Sequence, residues 1–510
     1  MAGGDAQTAE AGARLLREGG NAVDAAVAAA FAAFVCELPL CGPLGGGVML
    51  VERGNMPAVA YDMFARTPGL GLTDRPALDF DAVSVSFGAA DQVFHVGRAS
   101  VAMPLALSGL LQVHAKHGAM PLAEVLAPAI ELGRDGYTVG AGLAFVFAIL
   151  DPIIHRTPES RALFSDAEGI VGRVGARCWN RELAAVLEDI ARRPERVRDV
   201  YAQLARDFGP RDGGLITEAD VAELDAVELA PVTVDHAGWR LSTMPSPSTG
   251  GLLVALGTRL LEGIGKMPRL SLEHVLRMAE VQEALLLERR VPGFVERCAD
   301  PAAVRALLDD ERLAAARFDP RNRLGSTTQI SAIDEHGNAV ALTLTNGEGS
   351  GHVLAGTGMI ANNMMGEEDL HPRGFHVDPP GTPLSTMMAP TLLARGDDRV
   401  ALGSGGSNRL RTAILQVIVG LIEHGVDAET AVAAPRLHME MDAAGAPRIA
   451  FESDGLAHEV ALALAAAYPP KPSVFAAPNL YFGGVHLAMK QGGLFTGVGD
   501  ARRSGKSVVV

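Results

Sequence analysis

Residues 325–340 read GSTTQISAIDEHGNAV, a stretch that predicts a β-hairpin beginning at a pair of threonines, Thr327 and Thr328. Its turn contains Gly337 and Asn338, residue types that tolerate a positive φ. Through residues 339–345 larger apolar side chains alternate with small or hydroxyl side chains, which is the period of a β-strand. The stretch therefore predicts two antiparallel strands joined by a tight turn.

Thr327 stands at the head of this hairpin, and that position gives it a chemistry that other threonines lack. Cleavage of the peptide bond before Thr327 would make it the first residue of a new chain, with its own α-amine beside its hydroxyl. An α-amine has a pKa of about 8, so it suits the role of base at neutral pH better than a lysine amine does. The alternative is a Thr-Thr pair that serves only as ordinary strand residues.

A second glycine-rich turn, GSGGS at 403–407, lies between a predicted strand at 399–403 and a predicted helix at about 410–422. A strand, a glycine turn and a helix aim backbone N–H groups outward, so Gly405 and Gly406 are candidates for stabilising an oxyanion. A phosphate-binding loop is the competing interpretation, but no lysine followed by serine or threonine comes after the glycines. A purely structural turn is the third interpretation.

The composition excludes several classes of partner. The 510 residues contain 44 Lys and Arg against 60 Asp and Glu, a net charge of −16. No basic stripe stands out, so neither nucleic acid nor an anionic membrane is expected as a partner. The four cysteines and fourteen histidines show no metal-ligand spacing, so no metal is expected.

Two further features bear on location. The first residues lack the basic and apolar regions of a secretory signal. The longest apolar run, residues 25–36, is too short to cross a bilayer. With four cysteines in no disulfide-dense pattern, these features predict a cytoplasmic protein.

Further motifs accompany the hairpin along the chain. They are GGNAVDAAVA (19–28), LGGGVML (44–50), GGLIT (213–217), PSPSTGG (245–251), the threonine pair with 334–340, the Asn pair at 362–363, PLS (383–385) and GGS (405–407). In these motifs and their order, nearly the whole chain resembles the γ-glutamyltransferase family of N-terminal-nucleophile hydrolases, as a divergent and non-secreted member.

The resemblance implies a fold and a division of the chain. The fold is the four-layer αββα sandwich, in agreement with the alternation of predicted helices and strands, which indicates an α/β protein. The precursor would cut itself between Ser326 and Thr327. Residues 1–326 would form the large subunit and residues 327–510 the small subunit, intertwined in one folded unit.

The resemblance also assigns roles to catalytic residues by motif. Thr327 is the nucleophile in self-cleavage and in catalysis. Thr345 aligns with a threonine whose hydroxyl supports that of the nucleophile. Gly405 and Gly406 match the donors of the oxyanion hole. No organic cofactor is implied, because nucleophile, base and oxyanion donors all come from the chain.

Residues for the substrate are carried over in the same way. Ser385 and Thr386 match a hydroxyl pair that holds the α-carboxylate of a γ-glutamyl group. Glu367 falls where the family has an aspartate that grips the α-amine. Asn346 is the counterpart of a nearby substrate-binding asparagine. A turn before a strand is the alternative role for the hydroxyl pair.

The chain departs from the family where an arginine would pair with the substrate's α-carboxylate. That position holds Phe64, which offers neither charge nor a bidentate fork. Arg66 lies two residues on, so on a strand it would face the same side as Phe64 and is a candidate substitute. The departures fall on substrate recognition and spare the nucleophile.

Three functions are therefore open. The first is a self-processing amidase that transfers a γ-glutamyl or related acyl group from an amide such as glutathione to water or an amine. The second is an acylase or amidohydrolase of different acyl specificity, resembling the cephalosporin acylases or the oxamate amidohydrolases. The third is a non-catalytic relative that keeps the fold. A nucleotide-binding enzyme that uses residues 403–407 is a further, weaker alternative. The expected partners are a small-molecule amide and, within a heterodimer, the chain's own second fragment.

Overall fold

A computed structural model describes residues 1–74, 76–86, 91–289, 291, 293–309, 327–371, 373–441, 446–468 and 472–510. Its strands are β1 (Ala2–Gly3), β2 (Gly46–Glu52), β3 (Val59–Met63), β4 (Ala65–Arg66), β5 (Asp81–Ser86), β6 (Asp91–Val96), β7 (Met103–Pro104), β8 (Tyr137–Thr138), β9 (Arg177–Cys178), β10 (Val227–Leu229), β11 (Val232–His236), β12 (Trp239–Thr243), β13 (Thr328–Ile333), β14 (Ala339–Thr345), β15 (Val353–Leu354), β16 (Met359–Ile360), β17 (Thr391–Arg395), β18 (Asp398–Gly405), β19 (Leu437–Met441), β20 (Pro447–Glu452), β21 (Ser473–Phe475), β22 (Gly484–Gln491), β23 (Leu494–Val498) and β24 (Lys506–Ser507).

The helices lie within the same described residues as the strands. They are α1 (Ala6–Arg17), α2 (Ala22–Cys36), α3 (Ala106–His117), α4 (Leu122–Asp135), α5 (Ala141–Ile149), α6 (Asp151–Ile154), α7 (Pro158–Leu163), α8 (Arg181–Arg192), α9 (Val197–Asp207), α10 (Thr249–Leu260), α11 (Leu272–Glu288), α12 (Phe294–Cys298), α13 (Pro301–Asp309), α14 (Leu410–Ile418), α15 (Ala428–Ala433) and α16 (His458–Ala467).

Two antiparallel sheets form the centre of the molecule. One has seven strands in the order β10-β3-β2-β14-β13-β1-β24, and the other has six in the order β11-β12-β17-β18-β22-β23. The sheets face each other through β13 and β14 on one side and β18 and β22 on the other. Helix α2 covers the outer face of the first sheet, and α10 and α14 cover that of the second. The fold is thus the four-layer αββα sandwich, which confirms the prediction.

Apolar side chains fill each of the spaces between layers. Ile330, Val340 and Leu342 pack with α2 on the outer face of the seven-stranded sheet. Between the sheets lie small side chains such as Ala341 and Ala401, which let the two sheets approach closely. The hairpin strand β14 alternates as predicted, but both of its faces are buried, because it lies in the middle of the sandwich rather than at a solvated face.

The sequence predicts helix from residue 9 to residue 34 with a break at 19–21, and either Asn21 or Asp24 as the cap of the second helix. The structure has this break and selects Asn21. Asn21 caps α2, accepting hydrogen bonds from the N–H groups of Val23 and Asp24, and the Asp24 carboxylate accepts one in return from the Asn21 N–H. This reciprocal arrangement satisfies N–H groups that a helix start leaves without partners. Every residue of α2 is buried, so its alanine-rich sequence matches a helix enclosed on all sides.

Two further stretches follow their predicted structure only in part. Residues 366–390 are rich in proline and glycine, which predicts an exposed loop, but the stretch ends in buried residues, including Met387 and Met388. The reason is that its last residues run directly into the central strand β17. Residues 270–318 have an amphipathic sequence that predicts helix. Helices α11, α12 and α13 confirm this for most of the stretch, and residues 310–318 lie outside the described residues.

Candidate active site

A small cavity of about 60 Å³ brings together six of the side chains predicted for the site. They are Phe64, Thr327, Thr345, Glu367, Ser385 and Thr386. Its other lining residues include Thr249, Arg289, Asp369, Ser407 and Asn408. These residues come from eight separate stretches of the sequence, which the fold brings together around one cavity.

Thr327 lies immediately before strand β13 and is 5% exposed. The bond predicted to be cut joins it to Ser326, which lies outside the described residues. Strand β18 ends beside it at Gly405, where an added Cβ would lie 2.3 Å from the Thr327 carbonyl oxygen. Gly406 has a φ of +122°, a conformation that residues with a side chain rarely adopt. Glycine is therefore required at both positions for this turn to approach Thr327.

Thr345 is the last residue of β14, and its position follows from the hairpin register. Thr328 pairs with Leu344, so Thr345 lies beside Thr327 at the open end of the hairpin. The Thr345 hydroxyl accepts a hydrogen bond of 3.1 Å from the Gly347 N–H. It thus lines the cavity next to the proposed nucleophile.

Asn346 is fully buried but is not among the residues that line the cavity in the described structure. Its N–H donates to the Leu40 carbonyl, and its side-chain amide lies against Gly42 and Gly45. Within the described part of the chain, neither polar atom of that amide has a hydrogen-bond partner. Asn346, which follows β14 directly, therefore packs against the glycine-rich loop that precedes β2 and does not line the cavity.

Ser385 and Thr386 are held by the PSPSTGG motif. The Thr249 N–H, in the first turn of α10, donates to the Thr386 carbonyl at 2.9 Å. The Ser248 hydroxyl donates to the Met388 carbonyl at 2.6 Å. The motif at 245–251 thus fixes the backbone that presents both hydroxyl residues to the cavity.

Two acidic residues line the opposite part of the cavity. Burial raises the pKa of Glu367 well above its usual range, and the nearby carboxylates of Glu348 and Asp369 raise it further. The Asp369 carboxylate accepts hydrogen bonds from Asn408 Nδ2 at 3.1 Å and from the Ser407 hydroxyl at 3.5 Å. Asp369 is therefore tied to the loop that follows Gly406, and burial favours the uncharged form of Glu367.

Phe64 is 2% exposed, and its ring packs over Gly46, where an added Cβ would lie 2.7 Å from Phe64 Cδ2. Arg66 does not line the cavity, contrary to the expectation that it substitutes for an arginine at position 64. Its guanidinium lies 3.7 Å from Glu223 and donates to the Asp225 carbonyl at 3.5 Å. The prediction for Arg66 assumed that residues 64 and 66 lie on one strand. Phe64 instead lies between two strands, β3 and β4, which belong to different sheets.

Arg289 and Asn408 are among the cavity-lining residues that were not predicted from the sequence. Arg289, at the end of α11, lines the cavity and donates from Nη1 to Asn408 Oδ1 at 3.2 Å. Asn408 follows the glycine turn directly, and this position next to the predicted oxyanion donors could have identified it as a site residue. Nothing in the sequence marks Arg289, because its neighbours in the site are distant along the chain.

A buried glutamate supports the hairpin from behind. Glu37 accepts hydrogen bonds from Thr328 Oγ1 at 2.6 Å and from Thr8 Oγ1 at 2.5 Å. Burial, together with the Asp5 carboxylate, raises the pKa of Glu37 to about 7. Glu37 therefore anchors the residue that follows Thr327.

Neither a metal centre nor a membrane-spanning helix is found among the described residues. They contain no group of three or more His, Cys, Asp or Glu side chains placed to hold a metal ion. No helix among them combines the length and apolar character needed to cross a membrane.

Comparison with known proteins gives consistent matches. A family model described as Gamma-glutamyltranspeptidase matches residues 8–510. The chain is 33% identical over 451 residues to the acylase ACY 1 proenzyme of Pseudomonas sp. (strain V22), covering 84% of this chain and 80% of that protein. It is 30% identical over 469 residues to the glutathione hydrolase proenzyme of Escherichia coli (strain K12), covering 85% and 80%.

A solved structure is similar in fold over nearly the whole length. It is the cephalosporin acylase from Bacillus halodurans, with a TM-score of 0.80, 22% sequence identity, and coverage of 99% of this chain and 94% of that one. At that identity the likeness concerns the fold alone.

Proposed function

The chain belongs to the gamma-glutamyltranspeptidase family, and we propose that it is a self-processing amidase whose nucleophile is Thr327. The observation that carries the proposal is the convergence of Thr327, Thr345 and the Ser385–Thr386 pair on one cavity beside the glycine turn. A structural role for the Thr-Thr pair would not need the hydroxyl groups of Thr345, Ser385 and Thr386 at one cavity with Thr327.

Self-cleavage comes first. The Thr327 hydroxyl attacks the Ser326 carbonyl, the Ser326–Thr327 amide bond breaks, and an ester forms between Ser326 and Thr327 Oγ. Water hydrolyses the ester, which restores the hydroxyl and leaves the Thr327 α-amine free. The relatives at 33% and 30% identity are both described as proenzymes, which supports this step.

Catalysis then uses both groups of Thr327. The α-amine takes the hydroxyl proton as Thr327 Oγ attacks the carbonyl of the substrate amide. The N–H groups of Gly405 and Gly406 stabilise the tetrahedral oxyanion. The amine leaves with the proton, and water or a second amine attacks the acyl-enzyme, which regenerates the hydroxyl.

The acyl group is either γ-glutamyl or a different one, and the structure gives arguments for each. Ser385, Thr386, Glu367 and Asp369 suit a polar acyl group such as γ-glutamyl. Phe64, packed where the family's arginine would stand, favours the second alternative, an acylase of different specificity. One relative is described as an acylase and another as a glutathione hydrolase, so the relatives support both acyl groups.

The test is intact-mass analysis with N-terminal sequencing of the purified protein. We expect two chains, the smaller of which begins with Thr327. The Thr327→Ala variant should remain one chain of 53.2 kDa, whereas Thr327→Ser, which keeps a hydroxyl, should still cleave more slowly. A single uncleaved native chain without turnover of any amide would instead indicate a non-catalytic relative.

A further inference from the structure

The loss of an arginine at position 64 leaves the cavity without a carboxylate partner from that part of the chain. Phe64 packs on Gly46, and Arg66 is engaged with Glu223 and Asp225 outside the cavity. An acyl group that carries a carboxylate would need another cation near Thr327.

Arg289 is such a cation. It lines the same cavity as Thr327, and the described residues supply it with one hydrogen bond, to Asn408 Oδ1. A guanidinium carries five N–H donors, so Arg289 keeps donors for a ligand. Its side chain is partly buried, which strengthens its interaction with an anion in the cavity.

Asn408 fixes the guanidinium relative to the reaction centre. Its Oδ1 accepts from Arg289 while its Nδ2 donates to Asp369, so the two contacts hold the amide in one orientation. Asn408 comes two residues after Gly406, in the turn beside Thr327. Arg289 is therefore tied, through Asn408, to the loop that carries the proposed oxyanion donors.

The surroundings of Arg289 also favour an anion. Two further guanidinium groups, those of Arg409 and Arg411, lie close by. Burial, together with the charges of Arg289 and Arg409, lowers the pKa of Arg411 to about 9. Burial lowers the pKa of Arg289, and the charge of the Asp369 carboxylate acts in the opposite direction. Asp369 is itself held by Asn408 and Ser407, and burial favours the uncharged form of Glu367. A carboxylate from the substrate would offset this positive charge.

We propose that Arg289 binds the carboxylate of the acyl group in place of the arginine missing at position 64, so that the enzyme selects monoamides of dicarboxylic acids. The inference rests on the proposed function of Thr327. It assigns specificity to a residue at the end of α11, outside the sequence motifs that mark the family.

The test compares two amides with acyl chains of the same length, glutaryl-p-nitroanilide and valeryl-p-nitroanilide, which differ by one carboxylate. The native protein should prefer the glutaryl amide in kcat/KM. Arg289→Met should lose roughly ten- to hundredfold on the glutaryl amide, the range for a lost hydrogen-bonded charge pair, and retain its rate on the valeryl amide. Arg289→Lys, which keeps the charge but not the fork, should lose less.

Arg277→Met is the matched control, because Arg277 lies on the same helix but contacts Leu260 and Glu280 instead of the cavity. Cleavage into two chains and the melting temperature are measured for every variant, so that misfolding is recognised. An equal loss on both amides for folded, cleaved Arg289→Met, no loss at all, or loss of the preference in Arg66→Met would overturn the role of Arg289.

The two proposals fail in different ways. An uncleaved native protein that is inactive on both amides refutes the proposed function and removes the basis for the role of Arg289. A cleaved native protein that turns over both amides at similar rates refutes the role of Arg289 and leaves the proposed function standing.

Discussion

Thr327 owes its proposed reactivity to its neighbours rather than to its own side chain. A threonine hydroxyl is a weak nucleophile unless a base is placed beside it. Thr328 holds the backbone in place through its hydrogen bond to Glu37, while Thr345 lines the same cavity as Thr327 and Gly405 lies against the Thr327 carbonyl. For a single residue such as Thr327, the reactivity therefore depends less on the residue type than on the groups that hold it in position.

Glu37 provides a prediction about pH. The pKa of its side chain is raised to about 7 from an ordinary value of 4.5, chiefly by burial. The folded protein therefore holds a proton that the unfolded chain releases, and this stabilisation is full below about pH 4.5 and lost as the pH rises to 7. We expect the native protein to lose roughly 2–3 kcal/mol relative to Glu37→Gln between pH 5 and pH 8.

Unfolding of both proteins at the two pH values measures this difference. Glu335→Gln serves as the control, because the Glu335 side chain is 84% exposed and should show no such dependence. A native protein whose stability relative to Glu37→Gln is the same at both pH values would contradict the assignment of a buried, protonated Glu37.

At the scale of elements, the path from β18 into α14 shapes the proposed oxyanion site. Strand β18 ends at Gly405, a short 3-10 turn follows at Ser407–Arg409, and α14 begins at Leu410. This turn brings backbone, not a side chain, against Thr327, because the nearest approach leaves no room for a Cβ. The same turn carries Asn408, which links it to α11 through Arg289.

Gly405→Ala tests this element. The new Cβ would lie 2.3 Å from the Thr327 carbonyl oxygen, so the backbone must shift and displace either the nucleophile or the turn. A displacement of about 1 Å in an active site costs on the order of a hundredfold in rate, and we expect a loss of that size in self-cleavage and in amide turnover.

Gly396→Ala is the control for the backbone effect of alanine. Gly396 has a positive φ, +56°, which Gly405 does not have, but an added Cβ at Gly396 meets no atom within 4 Å. It should lower stability by about 1 kcal/mol without changing self-cleavage or turnover. Normal cleavage and turnover by Gly405→Ala would show that the turn does not need this close approach.

At the scale of the whole molecule, the segments before and after the predicted cleavage site are interleaved. Strands β13 and β14 of the later segment lie between β2 and β1 of the earlier one. In the second sheet, β12 of the earlier segment pairs with β17 of the later one. Each segment by itself would expose strand edges and apolar faces to water.

The two fragments should therefore stay together after cleavage. We expect the native protein to elute from a size-exclusion column as one peak containing both fragments, at the volume of uncleaved Thr327→Ala. Separation should require a denaturant, because it breaks both central sheets. Two peaks without denaturant would contradict the intertwined arrangement.

Much of the fold and part of the site could be predicted from the sequence. The hairpin at 328–345, the cap at Asn21 and the glycine turn at 403–407 are local features, set by turn chemistry and side-chain period, and the structure has all three. The motifs also indicated the layered fold correctly. The buried position of β14 was not predictable, since burial of its second face depends on a sheet built from distant strands.

The sequence by itself determined the local elements, the family to which the chain belongs and the candidate nucleophile, because these depend on residue types close together along the chain. The tertiary structure alone decided which charged groups reach the cavity. It turned Arg66 toward Glu223 and brought Arg289 to Asn408, 119 residues away in sequence. The physical reason is that side-chain position in a sandwich follows from the packing of its layers, which no local pattern encodes.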